Sequence, residues 1–215
     1  MSVLTVQKKL RDAGFDPGPL DGQWGPRTSL ALDAAMGKTH AASLAWGNRV
    51  TPEFRAAVFD ICERLGLVPD YLMACMAFET GESFSPKVRN GAGSGAVGLI
   101  QFMPSTARAL KTTADTLSRM SALEQLRYVE AYFRPYRNRL HTLSDHYMAI
   151  LWPAAIGRPE SYALWSKANR PTTYRQNSGL DTNRNGIITK AEAASKVQQK
   201  LRRGLTPSNV WRADR

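Results

Sequence analysis

Apolar residues recur three and four positions apart along most of the chain, and strand-like alternation is scarce, so a mainly α-helical protein is predicted. Val6, Leu10 and Ala13 set a helix over residues 4–13, with Gly14 as its stop. A dense run of turn residues follows from Gly14 to Pro26, then a second helix from Pro26 or Arg27 to Met36. Small and polar residues from Gly37 to Asn48 read as a linker, with Trp46 inside it. Thr51-Pro52 opens the next helix with a hydroxyl cap and a proline at the first helical position, and Gly66 closes it. Pro69-Asp70 opens another that runs to about Glu79. Residues 80–100 are glycine-rich with little helical signal, and a helix starts at Pro104. Leu123, Leu126, Val129 and Phe133 stripe a long amphipathic helix over 121–140. Residues 144–156 form an apolar helix disturbed at Pro153, residues 158–180 read as irregular, and a last, basic helix covers 189–203.

Composition narrows the class. At 43% hydrophobic and 22% charged, the chain is an ordinary globular one, which excludes extended disorder and fibrous repeats. No apolar run approaches the roughly 20 residues of a membrane-spanning helix. The first nine residues lack the apolar core of a secretory signal, so the expectation is a cytoplasmic product carried to its place of action by another route. Cys62 and Cys75 lie on apolar helical stretches and are expected as buried reduced thiols. The net charge of +11 is uneven: residues 1–37 are balanced, whereas residues 170–215 carry ten basic and three acidic side chains. Such a tail is drawn to polyanions. It lacks interleaved aromatics and any nucleic-acid motif, so nucleic acid is not expected as a partner.

The N-terminal run Gly14-Phe15-Asp16-Pro17-Gly18-Pro19-Leu20-Asp21-Gly22-Gln23-Trp24-Gly25-Pro26-Arg27-Thr28 combines tight turns with a single tryptophan between two helices. It resembles the peptidoglycan-binding domain of cell-wall hydrolases, a small helical fold. The resemblance covers about residues 3–36 and departs at its end, where Ala34-Ala35-Met36 replaces an aromatic-Gln pair. It implies that Asp21, Gly22, Trp24 and Thr28 contribute to wall binding.

The chemistry-bearing stretch begins on the helix from Pro69. Leu72, Cys75 and Met76 define an apolar stripe at i, i+3 and i+4, and Glu79 is the i+7 position of that stripe. A carboxyl on the buried face at a helix C-terminus loses solvation and meets the negative end of the helix dipole. Both raise its pKa, as a general acid for glycosidic cleavage requires. Glu82, in the loop that follows, is expected to be exposed.

Beyond it stands Gly95-Ala96-Val97-Gly98-Leu99-Ile100-Gln101-Phe102-Met103-Pro104-Ser105-Thr106-Ala107. Closely spaced glycines admit a bulky substrate, Gln101 can hydrogen-bond a sugar, and Met103 offers a soft apolar contact. With Glu79-Thr80-Gly81 and Phe84-Ser85-Pro86 before it, the segment resembles lytic transglycosylases and goose-type lysozymes over roughly residues 52–165. The resemblance implies an α-helical lysozyme-like fold, with Glu79 as the catalytic acid and Gly95, Ala96, Gly98, Gln101 and Met103 along a sugar-binding cleft. Two features depart from the pattern. Gly81 and Glu82 lengthen the segment between Glu79 and Phe84, and Asp145-His146-Tyr147-Met148-Ala149 stands where a Tyr-Asn-Ala-Gly motif is usual. Tyr147 or Trp152 is the candidate for the displaced aromatic.

The resemblance implies peptidoglycan as the substrate. A hydrolysing glycosidase uses a second carboxylate, and none is evident in the signature. The resemblance implies a transglycosylase in which Glu79 protonates the oxygen between N-acetylmuramic acid and N-acetylglucosamine and then serves as base, leaving a 1,6-anhydro end. Hydrolysis is the alternative if Glu82 or Asp145 reaches the cleft, and a non-catalytic wall-binding scaffold is the second. A phage-type endolysin or virion-associated enzyme, a monomer delivered by a holin or a particle to the periplasm and cell wall, accommodates these features. No cofactor is expected for catalysis.

Residues 181–192 fit a 12-residue calcium loop: Asp181, Asn183 and Asn185 at positions 1, 3 and 5, Gly186 at 6, Ile187 at the backbone-carbonyl position, Thr189 at 9 and Glu192 at 12. The loop resembles a single EF-hand. With only two charged ligands it is expected to hold structural Ca2+ weakly, and residues 170–180 are not expected to form its entering helix. The basic helix beyond it is a candidate for anionic envelope polymers or outer-membrane lipopolysaccharide. The predicted organisation is a peptidoglycan-binding domain (1–37), a linker (38–50), a catalytic domain (51–170) and a C-terminal extension (171–215).

Overall fold

The computed structural model describes residues 1–24, 28, 31–32, 35, 43–91 and 93–213. The chain is mainly helical and divides into two compact units, one of residues 1–43 with 212–215 and one of Leu44–Trp211. Among the described residues no helix is long and apolar enough to cross a membrane.

In the first unit, α1 spans Val3–Asp12, with the Ser2 hydroxyl accepting from the Thr5 N–H, and it buries Gln7 and Leu10. Thr28, Ala31, Leu32 and Ala35 are helical. The rest of the second helix expected to Met36, with Gly25, Ala34 and Met36, lies outside the described residues, as do 37–42 of the expected linker.

The second unit holds α2 (Pro52–Leu65), α3 (Pro69–Glu79), α4 (Pro104–Ala109), α5 (Ala114–Arg119), α6 (Ala122–Phe133), α7 (Leu143–Leu151), α8 (Pro171–Gln176) and α9 (Lys190–Gly204). Thr51 caps α2 and Pro52 opens it. Gly66 ends it at φ +65°, where a Cβ would sit 2.1 Å from Asn138 Oδ1, so only glycine fits. α3 is the central helix. Leu72 to Ala77 are all fully buried, so α3 is enclosed on every side rather than along the one stripe the spacing suggested. Its capping position, Val68, has no side-chain acceptor; the Val68 N–H instead donates to His146 Nε2 on α7. α2 packs on α6, and α9 lies across both α3 and α7. Cys62 and Cys75 are buried free thiols.

Several boundaries differ from the sequence reading. The helix expected over 121–140 ends as an α-helix at Phe133 and tightens into a 3-10 turn at Arg134–Tyr136, because Pro135 offers no N–H to continue it. Leu126, Val129 and Phe133 are buried, whereas Leu123 in the first turn is exposed. Residues expected to be irregular contain α8 and a strand, β1 (Ala163–Ser166), which pairs antiparallel with β2 (Ile187–Thr189) through Trp165 and Ile188. Leu44, Ala45 and Trp46, in the stretch read as linker, are core residues. The Trp46 indole donates to the Lys200 carbonyl at 2.9 Å, and its ring lies so close to Gly204 that a Cβ there would come within 2.4 Å of it. The C-terminal extension is therefore part of the same core as residues 51–170.

Candidate active site

Glu79 is the last residue of α3 and is partly buried. No described residue hydrogen-bonds or ion-pairs with its carboxyl, and burial alone pushes its pKa up to about 8. Its electrostatic neighbours are Cys75 on α3, Tyr132 on α6 and Tyr147 on α7. All three are neutral hydrogen-bond formers whose own pKa values rise, chiefly through burial. Nothing here favours a carboxylate, so the group keeps its proton at neutral pH.

The turn after Glu79 is tightly built. Thr80 Oγ1 donates to the Met76 carbonyl at 2.7 Å and accepts from the Phe84 N–H at 3.0 Å. Gly81, Glu82 and Phe84 all have positive φ, at 59°, 72° and 49°. Phe84 seats its ring against Trp46 and Phe54. Glu82 is not the exposed carboxylate expected: Lys200 Nζ reaches its Oε1 at 2.5 Å and Arg203 Nη2 its Oε2 at 2.9 Å, leaving its side chain 15% exposed. The attraction of two cations from α9 holds it against the protein.

The glycine-rich segment forms a folded loop in which Val97 bridges both Arg89 and Phe102. Gly98 has φ +85°, and a Cβ there would lie 2.3 Å from Gln125 Oε1. Gln125, fully buried on α6, accepts from the Leu99 N–H at 2.7 Å and donates to the Leu117 carbonyl at 2.9 Å. Ala96 and Gly98 are buried, so they shape the loop rather than face a ligand. Gly95 packs its backbone close to Pro104. Gln101, at φ +51°, donates its amide to the Val88 and Gly98 carbonyls, while its Oε1 has no hydrogen-bond partner among the described residues. Met103 is 44% exposed at the N-terminus of α4. Phe102 stands edge-on to Tyr132 at 6.3 Å, and this ring links the loop to the surroundings of Glu79.

Tyr147 is buried and meets Phe78 edge-on at 5.4 Å, beside the acid. Trp152 is partly buried, with its ring against Trp165 and under the Arg170 guanidinium. Asp145 is buried, and Lys190 Nζ contacts it at 2.6 Å, while the Gly157 N–H donates to the same oxygen. Burial works to raise its pKa, but the Lys190 and Gly157 hydrogen bonds outweigh this and hold it below the ordinary value. Both carboxylates that could have assisted a water are thus committed to cations.

Residues 58–137 match the family model described as transglycosylase SLT domain. The SLT match contains Glu79, its turn, the glycine-rich loop, Gln125 and Tyr132, and it ends before Asp145, Tyr147, Trp152 and α9. It supports a lysozyme-like lytic transglycosylase domain acting on peptidoglycan. No curated protein matches the chain.

Outside the SLT match, the 181–192 loop is held by its own hydrogen bonds. Asp181 accepts from the Asn185 and Gly186 N–H groups, Asn183 Oδ1 from Asn185 N–H, and Asn185 Oδ1 from Ile187 N–H. Tyr174 also donates to Asp181 at 2.6 Å, the main cause of that carboxyl's lowered pKa. Burial opposes ionisation of Glu192, yet the Thr189 N–H and hydroxyl, with Asn183 and Thr182, hold its pKa low. Two ionised carboxylates with amide and carbonyl oxygens suit a hard cation. In this arrangement, however, Glu192 bonds Thr189 as the N-terminal cap of α9, and a cation would have to draw it away. No group of three or more His, Cys, Asp or Glu side chains stands together among the described residues. Contrary to the sequence reading, α8 and a 3-10 turn at Ser178–Leu180 do lead into the loop.

In the N-terminal unit, Gln7 is the hub. Its Nε2 donates to Asp21 Oδ1, the Gln23 carbonyl and Thr28 Oγ1, and its Oε1 accepts from the Gly22 N–H. Thr28 is buried and donates to the Pro17 carbonyl, so Asp21, Gly22 and Thr28 tie the turn to α1, whereas Trp24 is half exposed. The sequence reading passed over Gln7, Thr80, Gln125, Lys190, Lys200 and Arg203. A polar residue at a buried helical position was the available signal for Gln7 and Gln125.

Proposed function

We propose that the protein cleaves the β-1,4 bond between N-acetylmuramic acid and N-acetylglucosamine, with Glu79 as the only catalytic carboxyl. Protonated Glu79 donates to the bridging oxygen as the bond to the anomeric carbon breaks. The resulting carboxylate then takes the proton of the muramic acid 6-hydroxyl, whose oxygen closes on that carbon to give the 1,6-anhydro end. The carrying observation is the partly buried Glu79, whose carboxyl has no partner among the described residues and a pKa raised by desolvation. The commitment of Glu82 and Asp145 to lysines and an arginine favours this over hydrolysis, because neither of these two carboxylates is left to activate water. Gln101 Oε1 and Met103 are the groups offered to the glycan, with Tyr147 shielding the acid.

Mass spectrometry of muropeptides released from purified sacculi tests the reading. Anhydro products, absent with Glu79→Gln, are expected; products heavier by one water would instead identify a hydrolysing muramidase, and no release by wild type would remove the catalytic assignment. We further propose wall attachment through the unit that exposes Trp24, and weak Ca2+ binding at 181–192. Titration calorimetry with Ca2+ alone should give heat that Asp181→Ala abolishes; an unchanged melting temperature and no heat at millimolar Ca2+ would remove the metal site.

A further inference from the structure

α9 lies beyond the SLT match, yet it holds both elements that flank Glu79. At its first residue, buried Lys190 pairs with Asp145 on α7, two positions before Tyr147. Ten residues on, Lys200 and Arg203 grip Glu82, three positions after Glu79. Glu82 sits at φ +72°, a backbone conformation that a residue with a side chain resists. It is retained there by the two ion pairs and by its own N–H, which donates to the Ala77 carbonyl at 2.7 Å.

We propose that Glu82, Lys200 and Arg203 are positioning residues: they clamp the turn that follows Glu79 and keep its carboxyl shielded, and α9 is thereby a working part of the proposed catalytic site. This rests on Glu79 being the acid. Cys75, Tyr132 and Tyr147 face Glu79 from α3, α6 and α7, all are neutral, and burial is what raises the Glu79 pKa. A clamp keeps water out; releasing it from either side lets water in and moves Glu79 toward an ordinary carboxyl.

The test measures the Glu79 titration midpoint by carboxyl carbon NMR in the full-length protein, beside kcat and KM on soluble glycan, for Glu82→Gln, Lys200→Met and Arg203→Ala. Positioning predicts that both Glu82→Gln and Lys200→Met lower the midpoint by about one pH unit or more. It also predicts a fall in kcat of about ten-fold or more with KM nearly unchanged, and recovery with Lys200→Arg. A through-space charge effect would move the midpoint in opposite directions, down on losing the anion and up on losing the cation, and that result overturns the proposal. Arg203, mostly exposed, is the variant least tied to folding; an unmoved midpoint there, with the other two unfolded, also overturns it. If wild-type Glu79 titrates high while glycan stays intact, the proposed function fails, and the clamp is judged on the midpoints alone.

Discussion

Glu79→Gln should abolish cleavage and at the same time stabilise the protein, by an amount that depends on pH. In the unfolded chain this carboxyl titrates near 4.5, whereas burial raises it to about 8 in the fold. Folding is therefore unopposed by this group below pH 4.5, where it is protonated in both states. As pH rises toward 8, the unfolded chain ionises freely and the folded chain must keep or lose a shielded proton, so stability is lost. At pH 7 the cost is about 3 kcal/mol, approaching about 5 kcal/mol above pH 8. Glutamine matches the protonated acid in shape and polarity but never ionises, so it escapes the whole cost. For a domain of this size, the variant should melt about 6–12 °C higher than wild type at pH 7, with the gap closing at pH 4. Scanning calorimetry of both proteins at pH 4, 6, 7 and 8 would reveal this. A gap independent of pH, or a variant less stable than wild type at pH 8, would refute the burial argument. The same proton sets the alkaline limb of cleavage, so wild-type rates should decline through about pH 8.

His146 should act in the opposite sense. Burial lowers its pKa to about 4 and keeps it neutral, and in that form its Nε2 accepts from the Val68 N–H. Its contribution, about 3 kcal/mol, is intact above pH 6.5 and lost as pH falls toward 4. Denaturant titrations of wild type and His146→Gln should differ most at neutral pH and converge in acid; a constant difference would count against the assignment. Lys190→Met strands the buried Asp145 carboxylate and should cost about 3–5 kcal/mol, whereas Lys190→Met with Asp145→Leu should recover most of it; equal losses in the two would show that the pair's desolvation is unimportant. Gly98→Ala should weaken both folding and cleavage because its Cβ meets Gln125, and Gln125→Ala in the same chain should relieve part of the defect, measured as melting temperature.

The helices were legible in the sequence because they depend on local signals. Thr51-Pro52 and Gly66 mark α2 from their own backbone preferences, and Pro69 marks the start of α3 in the same way. What escaped depends on contacts distant along the chain. The fate of Glu82 is decided by Lys200 and Arg203, more than a hundred positions away, and neither periodicity nor turn chemistry carries that information. Trp46 looked like linker because its immediate neighbours are small and polar, yet its indole is satisfied by the Lys200 carbonyl. Likewise the signature predicts Ala96, Gly98 and Gln101 along a sugar cleft, but the demand they meet is the folding of their own loop, through the Gln125 contacts and the Gln101 bonds to Val88 and Gly98.

The ion pair between Asp145 and Lys190 joins residues 45 positions apart. During synthesis the aspartate therefore leaves the ribosome well ahead of the lysine that neutralises it. Until α9 emerges, α7 cannot bury its first turn without stranding a charge. A fragment excised at the limits of the recognisable transglycosylase segment would lack both partners and the helix that roofs α3. The smallest stably folded unit around α3 should accordingly extend through Gly204, and the nascent chain should complete it only after α9 has emerged.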